Sequence, residues 1–301
     1  MVAMQKEYDY TGKAMGTDFS IAIVSNSEEI ARTLSTHAIA TIRAYEARFS
    51  RFLSDSELSR LNAEKSLIVS DTFFDVILEA ERLFTLTKGV FNPLVQIGRF
   101  GYNKNFEDLT DETIPTHEET YDIDFSETTI DRQTRRITLL PGQRLDFGGF
   151  LKGYLATRLA REIKDHPSVN GVIVNIGGDI HTRGVDAAGN IFTFSIYNPV
   201  TQTNGPSVPL KDTSLATSGT YKRSWRWLNK RIHHILDPSG THNPDTDIVS
   251  ASAIHPEGGV AEALTKVLLS VGPEKAREIL ADTPFSYIVI SKDGNTASNI
   301  I

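Results

Sequence analysis

The sequence predicts a protein of mixed α and β content, and three observations carry that prediction. Apolar residues recur at helical spacing near both ends of the chain, apolar β-branched runs crowd its middle, and glycine-rich segments punctuate the ends of those runs. With 40% of its 301 residues hydrophobic and 23% charged, the chain has ordinary globular composition, which rules out disorder, collagen and coiled coil. Length alone suits two domains or one large one.

Taken in order, Phe19 to Val24 reads as a strand. Ile30, Leu34, Ala38, Ile42, Tyr45 and Phe49 then mark one long amphipathic helix behind the acidic Glu28 and Glu29. Ser54 to Glu57 has the Ser-x-x-Glu pattern of a capping box and opens a short helix through Leu61. A third helix runs from Asp71 to about Lys88, stopped by Gly89. Residues 103–127 are acidic, polar and aperiodic, and read as a surface excursion. Ile130 to Asp131 and Arg136 to Leu139 read as paired strands, and Arg144 to Phe147 as another that feeds a helix over Gly149 to Lys164. Val172 to Ile176 is a buried strand ending at Gly177 and Gly178. Further strands are expected at 192–197, 232–236, 248–254 and 285–290, with helices at 260–271 and 273–280.

Composition excludes several function classes. Lys plus Arg is 31 and Asp plus Glu is 38, a formal charge of −7 and the wrong sign for binding a nucleic-acid backbone. With no cysteine there is no disulfide, no thiolate nucleophile and no Cys-based metal site, so any metal sits on oxygen or imidazole. No stretch approaches a membrane span. Lys6, Glu7, Asp9, Lys13 and Asp18 interrupt the start, which therefore does not read as a signal peptide, and a cytoplasmic location is the expectation.

Chemistry is expected where glycine and small polar residues gather at strand ends. In Asp146 to Gly153, Gly148 and Gly149 precede a helix, so its N-terminus and Lys152 can face a phosphate; a tight turn beside a solvated lysine explains the same pattern. Neither standard nucleotide-binding glycine motif is present. Asp179 after Gly177 and Gly178 can accept from a ligand, or the glycines simply turn a hairpin. His233 and His234 alternate across a strand, one toward the core and one toward a cleft, where it is either a surface imidazole or a general base. Glu262 and Lys266 stand four apart on a helix, and by spacing alone read as an exposed ion pair worth about 0.3–0.5 kcal/mol. Trp225 and Trp227 read as a cap on the sheet rather than a stacking platform.

Taken together, eight segments in order resemble the FAD:protein FMN transferases, the ApbE-like flavin transferase family. They are Met15 to Thr17, Phe49 to Asn62, Gly89 to Pro93, Leu145 to Tyr154, Gly177 to Asp179, Ala216 to Gly219, His234 to Gly240, and Ala261 to Leu268 ending at Gly272. Each is short, but their joint order spans nearly the whole chain. The resemblance implies a single α+β domain over residues 1–301, with a mixed, mainly antiparallel sheet and flanking helices. It also implies transfer of FMN from FAD, with Mg²⁺ at the diphosphate, to a Ser or Thr hydroxyl of a target flavoprotein, with release of AMP.

Carried over residue by residue, the resemblance makes His234 the base and Lys152 its catalytic companion. Met15, Phe52, Asp146, Gly177, Gly178, Asp179, Thr217, Ser218, Gly219 and Lys266 become FAD-binding, with Phe52 stacking on the isoalloxazine where the family often has tyrosine. Glu262 and the Leu151 carbonyl are the implied metal ligands. The chain departs from the family at the metal position, where an Asp and a Thr four residues apart are usual and Glu262 and Lys266 stand instead. A lysine ammonium there competes with a divalent ion and can itself sit against the diphosphate. Thr265 is rotated about 100° around the helix and is a poor substitute. Two alternatives follow from these departures: an FAD-binding protein without turnover, or a pyrophosphatase splitting FAD to FMN and AMP.

Overall fold

The computed structural model describes residues 4–95, 97–100, 124–227 and 230–300. Strands β1 (Lys6–Ala14) and β2 (Thr17–Ser25) form a hairpin that turns at Met15 and Gly16, whose φ values of 55° and 67° suit the tight primed turn of such hairpins. Met15 therefore lies between two strands rather than ahead of the first. The charged, tyrosine-rich β1 sits at the sheet edge with most of its side chains exposed or half-buried, so it lacks the apolar signal by which β2 is read.

Helix α1 (Glu28–Phe49) buries Ala38, Ile42, Tyr45 and Phe49 of the expected stripe, with Ala31 and Ser35 buried in its first half where Ile30 and Leu34 are only half-buried. Helix α2 (Glu57–Glu64) is capped by Ser56, not Ser54. Its Glu57 closes no capping box: the carboxylate accepts from the Ser70 N–H (2.5 Å) and hydroxyl (2.7 Å), fixing the residue that caps the next helix. After β3 (Ser66–Ile68), helix α3 (Asp71–Leu86) ends in Lys88 and Gly89, both at positive φ, with the Gly89 N–H returning to the Phe84 carbonyl at 2.9 Å. Strands β4 (Thr129–Asp131) and β5 (Arg136–Thr138) pair as expected, and β3 completes their small sheet. Most of the expected excursion at 103–127 lies outside the described residues; at its end Phe125 is buried.

The strand expected at 144–147 does not form. Asn62 satisfies that backbone instead, donating to the Leu145 carbonyl (2.9 Å) and accepting from its N–H (2.7 Å), while the Asp146 N–H donates to the Pro93 carbonyl (2.8 Å). Helix α4 (Leu151–Lys164) follows. Strands β6 (Val169–Ile176) and β7 (Asp179–Gly184) then form a hairpin through Gly177 and Gly178, at φ 67° and 97°.

Strands β8 (Phe192–Asn198) and β9 (Thr203–Leu210) make a separate hairpin, β10 (Ser214–Gly219) returns to the main sheet, and β11 (Ser224–Trp227) pairs with β12 (Lys230–His233). Strand β13 (Ile248–His255) leads into α5 (Gly258–Ile279), which is broken at Gly272 (φ 78°, ψ 166°) before Pro273 into the two helices expected there. Strands β14 (Ser286–Ser291) and β15 (Thr296–Ser298) close the chain. The main sheet runs β1-β2-β6-β7-β10-β13-β14-β15, with each neighbouring pair antiparallel among the described residues.

The packing of α4 on α5 sets the site. A Cβ on Gly153 would stand 2.3 Å from the Gly258 carbonyl oxygen, and one on Gly258 2.2 Å from that of Gly153, so the two backbones touch in a way only glycine permits. Beside this crossing, Phe49, Phe73, Phe147, Phe150 and Phe91 pack ring to ring at 5.2–5.8 Å. Each buried ring contributes roughly 1.5–3 kcal/mol of transfer free energy. Trp225 does not cap the main sheet. It is buried in a separate cluster with Phe100, Ile232 and Leu236, its indole N–H donating to the Phe100 carbonyl at 2.6 Å; the Trp227 side chain lies outside the described residues.

A polar knot lies between α4 and the sheet. His181 is fully buried, with Nδ1 2.6 Å from the Ser214 hydroxyl and 3.2 Å from that of Thr157, and its Nε2 has no partner. Burial, with smaller contributions from Arg161 and Arg183, pushes its pKa down to about 4. Because the folded value lies below the unfolded one near 6.5, the neutral ring stabilises the fold fully above pH about 6.5 and loses that contribution as pH falls toward 4. The expected result is a urea midpoint that declines through this window, by about 3 kcal/mol of stability from His181 in all. His233 and His234 add to the decline and Asp179 opposes it. A His181→Gln variant whose midpoint declines as steeply as the parent's would refute the assignment.

Candidate active site

A cavity of about 260 Å³ opens between the β1–β2 turn, the C-terminal end of α1, the segment leading into α4, and the residues after β12. Met15, Phe52, Asp146, Leu151, Lys152, His234 and Lys266 all line it, so seven of the sequence-predicted residues come together from distant parts of the chain. The turn is fixed by Glu46, which accepts from the Met15 N–H at 2.6 Å. Asp146 accepts from the Gly148 N–H (2.8 Å) and pairs with Arg51 (3.5 Å), whose guanidinium lies 4.4 Å from the centre of the Phe52 ring. Phe52 itself is 38% exposed, an aromatic face at the cavity rim.

At the cavity wall stands a charged cluster. Lys152, in the first turn of α4, donates to Asp179 Oδ2 at 2.7 Å and to Glu262 Oε1; Lys266 donates to the same Oε1 at 3.2 Å, and the Gly153 N–H to Oε2 at 2.9 Å. The glycine contact between α4 and α5 brings these groups within reach. Glu262 is fully buried, so the expectation of an exposed ion pair with Lys266 is corrected: the helix face carrying it is roofed by α4. Burial would raise the Glu262 pKa, but Lys152 and Lys266 outweigh it and hold the carboxylate ionised. Asp179 lies the other way, pushed up to about 6 by burial and by Glu262, and its Oδ1 is buried without a partner. Burial pulls Lys266 down, whereas the two carboxylates lift Lys152 well above the usual lysine range despite burial.

His234 lies just past β12 rather than on it, with its N–H donating to the Arg223 carbonyl at 3.2 Å. The strict alternation expected of His233 and His234 is therefore broken at the strand end. His233 Nδ1 accepts from the Ile235 N–H (3.3 Å), leaving His234 to face the cavity. Burial, together with Arg223 and Lys266, pushes the His234 pKa down to about 3, and its Nδ1 is buried with no partner. A neutral imidazole on a cavity wall can accept a proton from a group that enters.

Other expected residues lie around this cavity rather than on its wall. Gly177 and Gly178 line a neighbouring open groove with Thr17 and Lys222; a Cβ on Gly178 would meet nothing within 4 Å. Thr217 shares a hydrogen bond with Ser252 (2.8 Å), Ser218 with Thr265 (2.7 Å), and Gly219 ends β10. Thr265 points to the sheet, as its position on the helix predicts. Sequence reasoning passed over Glu46 and Arg223, whose isolated charges carry no motif, and gave no role to Arg51 within the Phe49 to Asn62 segment; only the folded chain brings the three to the cavity.

The residues present do not fit a divalent cation at Glu262. Both carboxylate oxygens are occupied, one by two ammonium groups and the other by a backbone N–H. Leu151 opens α4, where a carbonyl serves the helix's own ladder. No cluster of three His, Asp or Glu side chains able to hold a metal occurs among the described residues.

Comparison with known proteins agrees with this architecture. A sequence model of the ApbE family matches residues 15–289. An FAD:protein FMN transferase of Salmonella typhimurium is 27% identical over 302 residues, covering 94% of this chain and 84% of the relative. One of Haemophilus influenzae is 27% identical over 314 residues, covering 97% and 90%. Two solved structures share the fold. The ApbE protein of Thermotoga maritima has a TM-score of 0.83 at 24% identity, covering 97% of this chain and 96% of its own. The apo flavinyl transferase ApbE of Pseudomonas stutzeri has a TM-score of 0.80 at 20% identity, covering 99% and 96%. With the family match extending over all but the two ends, the chain belongs to the ApbE family.

Proposed function

We propose that this protein transfers the FMN half of FAD to a Ser or Thr hydroxyl of an acceptor flavoprotein and releases AMP. The observation that carries the reading is His234, whose imidazole lines a cavity also lined by lysine, arginine and aromatic side chains. The relatives' names as FAD:protein FMN transferases support it. The acceptor hydroxyl oxygen bonds to the FMN phosphorus, the bond from that phosphorus to the bridging oxygen breaks, AMP departs with that oxygen, and the hydroxyl proton passes to the His234 imidazole. In the free protein two cations and burial depress His234; a dianionic diphosphate beside it offsets those cations and raises its basicity. Phe52 offers a face to the isoalloxazine, and Met15 and Asp146 border the same space, with Gly177, Gly178, Asp179, Thr217, Ser218 and Gly219 at its flank. No step is assigned to Mg²⁺.

Incubation with FAD and a flavin-domain acceptor is expected to give a fluorescent acceptor heavier by one FMN and one equivalent of AMP. AMP without labelled acceptor would select the pyrophosphatase, and bound FAD without AMP the inert binder. No described helix is long and apolar enough to cross a membrane.

A further inference from the structure

We propose that Lys152, Glu262 and Lys266 form a built-in cationic unit that receives the diphosphate of FAD directly through Lys266, with no metal ion between them. The inference rests on the flavin-transfer reading above. Charge balance is the first argument. Asp179 and Glu262 contribute two negative charges and Lys152 and Lys266 two positive ones, so before FAD enters the cluster is neutral and its carboxylates need no dication to balance them. Occupancy is the second. A divalent ion at Glu262 would have to displace an ammonium from Oε1 or the Gly153 N–H from Oε2.

Division of labour between the lysines is the third argument. Lys152 is held by two carboxylates and serves as the fixed bridge between α4, β7 and α5. Lys266 makes a single, longer bond of 3.2 Å to Glu262. An ammonium carries three N–H donors, so two remain to Lys266, and its side chain lines the cavity on the same wall as His234. Glu262, completely buried behind it, holds the ammonium in place without itself meeting the ligand. One tethered charge thereby does at the diphosphate what a dication does elsewhere, by fixed geometry rather than by coordination.

FAD affinity, read from quenching of flavin fluorescence, separates the possibilities in the full-length protein. With excess EDTA or with Mg²⁺, the parent's Kd is expected to agree within about twofold, because no ion is recruited. Lys266→Thr is expected to weaken FAD binding in EDTA by about tenfold to a hundredfold, the loss of a charge-assisted hydrogen bond, and Mg²⁺ to restore part of it. Lys266→Arg is expected to keep metal-independent binding. Thermal unfolding of each variant checks that the fold persists. Mn²⁺ titrated into the FAD-loaded parent and followed by electron paramagnetic resonance should show no ion beyond that held by free FAD. A parent Kd that tightens tenfold or more with Mg²⁺, or a Lys266→Thr protein that binds FAD in EDTA as the parent does, overturns this proposal alone. Failure of the parent to bind FAD under every condition overturns the transferase reading and the proposal with it.

Discussion

Replacing His234 with alanine is expected to slow AMP release and acceptor labelling by about 10²–10⁴-fold, the usual contribution of a positioned general base. FAD affinity should change by no more than about threefold, since Nδ1 has no hydrogen-bond partner to lose on truncation. Loss of kcat without loss of binding is the signature of a group that acts on the proton in flight. The pH profile supplies a second readout. A base must be unprotonated, so activity falls as pH drops through its pKa, and kcat/KM reports the free protein. With His234 held near 3 before FAD arrives, its acid limb in kcat/KM should lie well below 6.5, whereas that in kcat should sit higher because the bound diphosphate favours the imidazolium. An alanine variant with parental turnover would remove His234 from the chemistry.

Replacing Lys152 with methionine is expected to destabilise the fold by about 3–5 kcal/mol, the cost of leaving buried carboxylates without their cation. Asp179 loses the ammonium at 2.7 Å and has nothing else, its second oxygen being already unpartnered. Glu262 keeps Lys266 and the Gly153 N–H. The effect should depend on pH in a defined direction. Asp179 already titrates near 6, above its unfolded value of 3.8, so its charge costs stability most above 6 and ceases to do so as it protonates below. Without Lys152 that folded value rises further and the cost grows at neutral pH. The urea midpoint of the variant should therefore approach the parent's as pH falls below 6; a deficit independent of pH would assign Lys152 a packing role only.

The elements read from periodicity match the folded chain wherever one face is buried: α1, α3 and α4, and strands β2, β6, β13 and β14. Where partners rather than periodicity satisfy the backbone, the reading fails. The extended segment at Leu145 is held by the Asn62 amide, and edge strand β1 pairs on one side and faces solvent with most of its length. Glu57 shows the same limit on a smaller scale, since Ser-x-x-Glu is a local pattern and its carboxylate found a better donor thirteen residues away.

By itself the sequence determined the class of the fold through composition and spacing, while the residues expected around the cavity, Met15 and Phe52 among them, were implied by the resemblance of its short segments to a family. It also placed Glu262 and Lys266 on one helix face. What only the tertiary structure decided is what that face meets. Spacing alone makes the pair a solvated salt bridge, and nothing local distinguishes that outcome from a buried one. The contact of Gly153 with Gly258 lets α4 close over α5, excludes water from Glu262, and adds Lys152 and Asp179 from elsewhere in the chain. The same charges that would be screened and nearly worthless in water become, once buried and joined, a neutral cluster whose two lysines line the cavity.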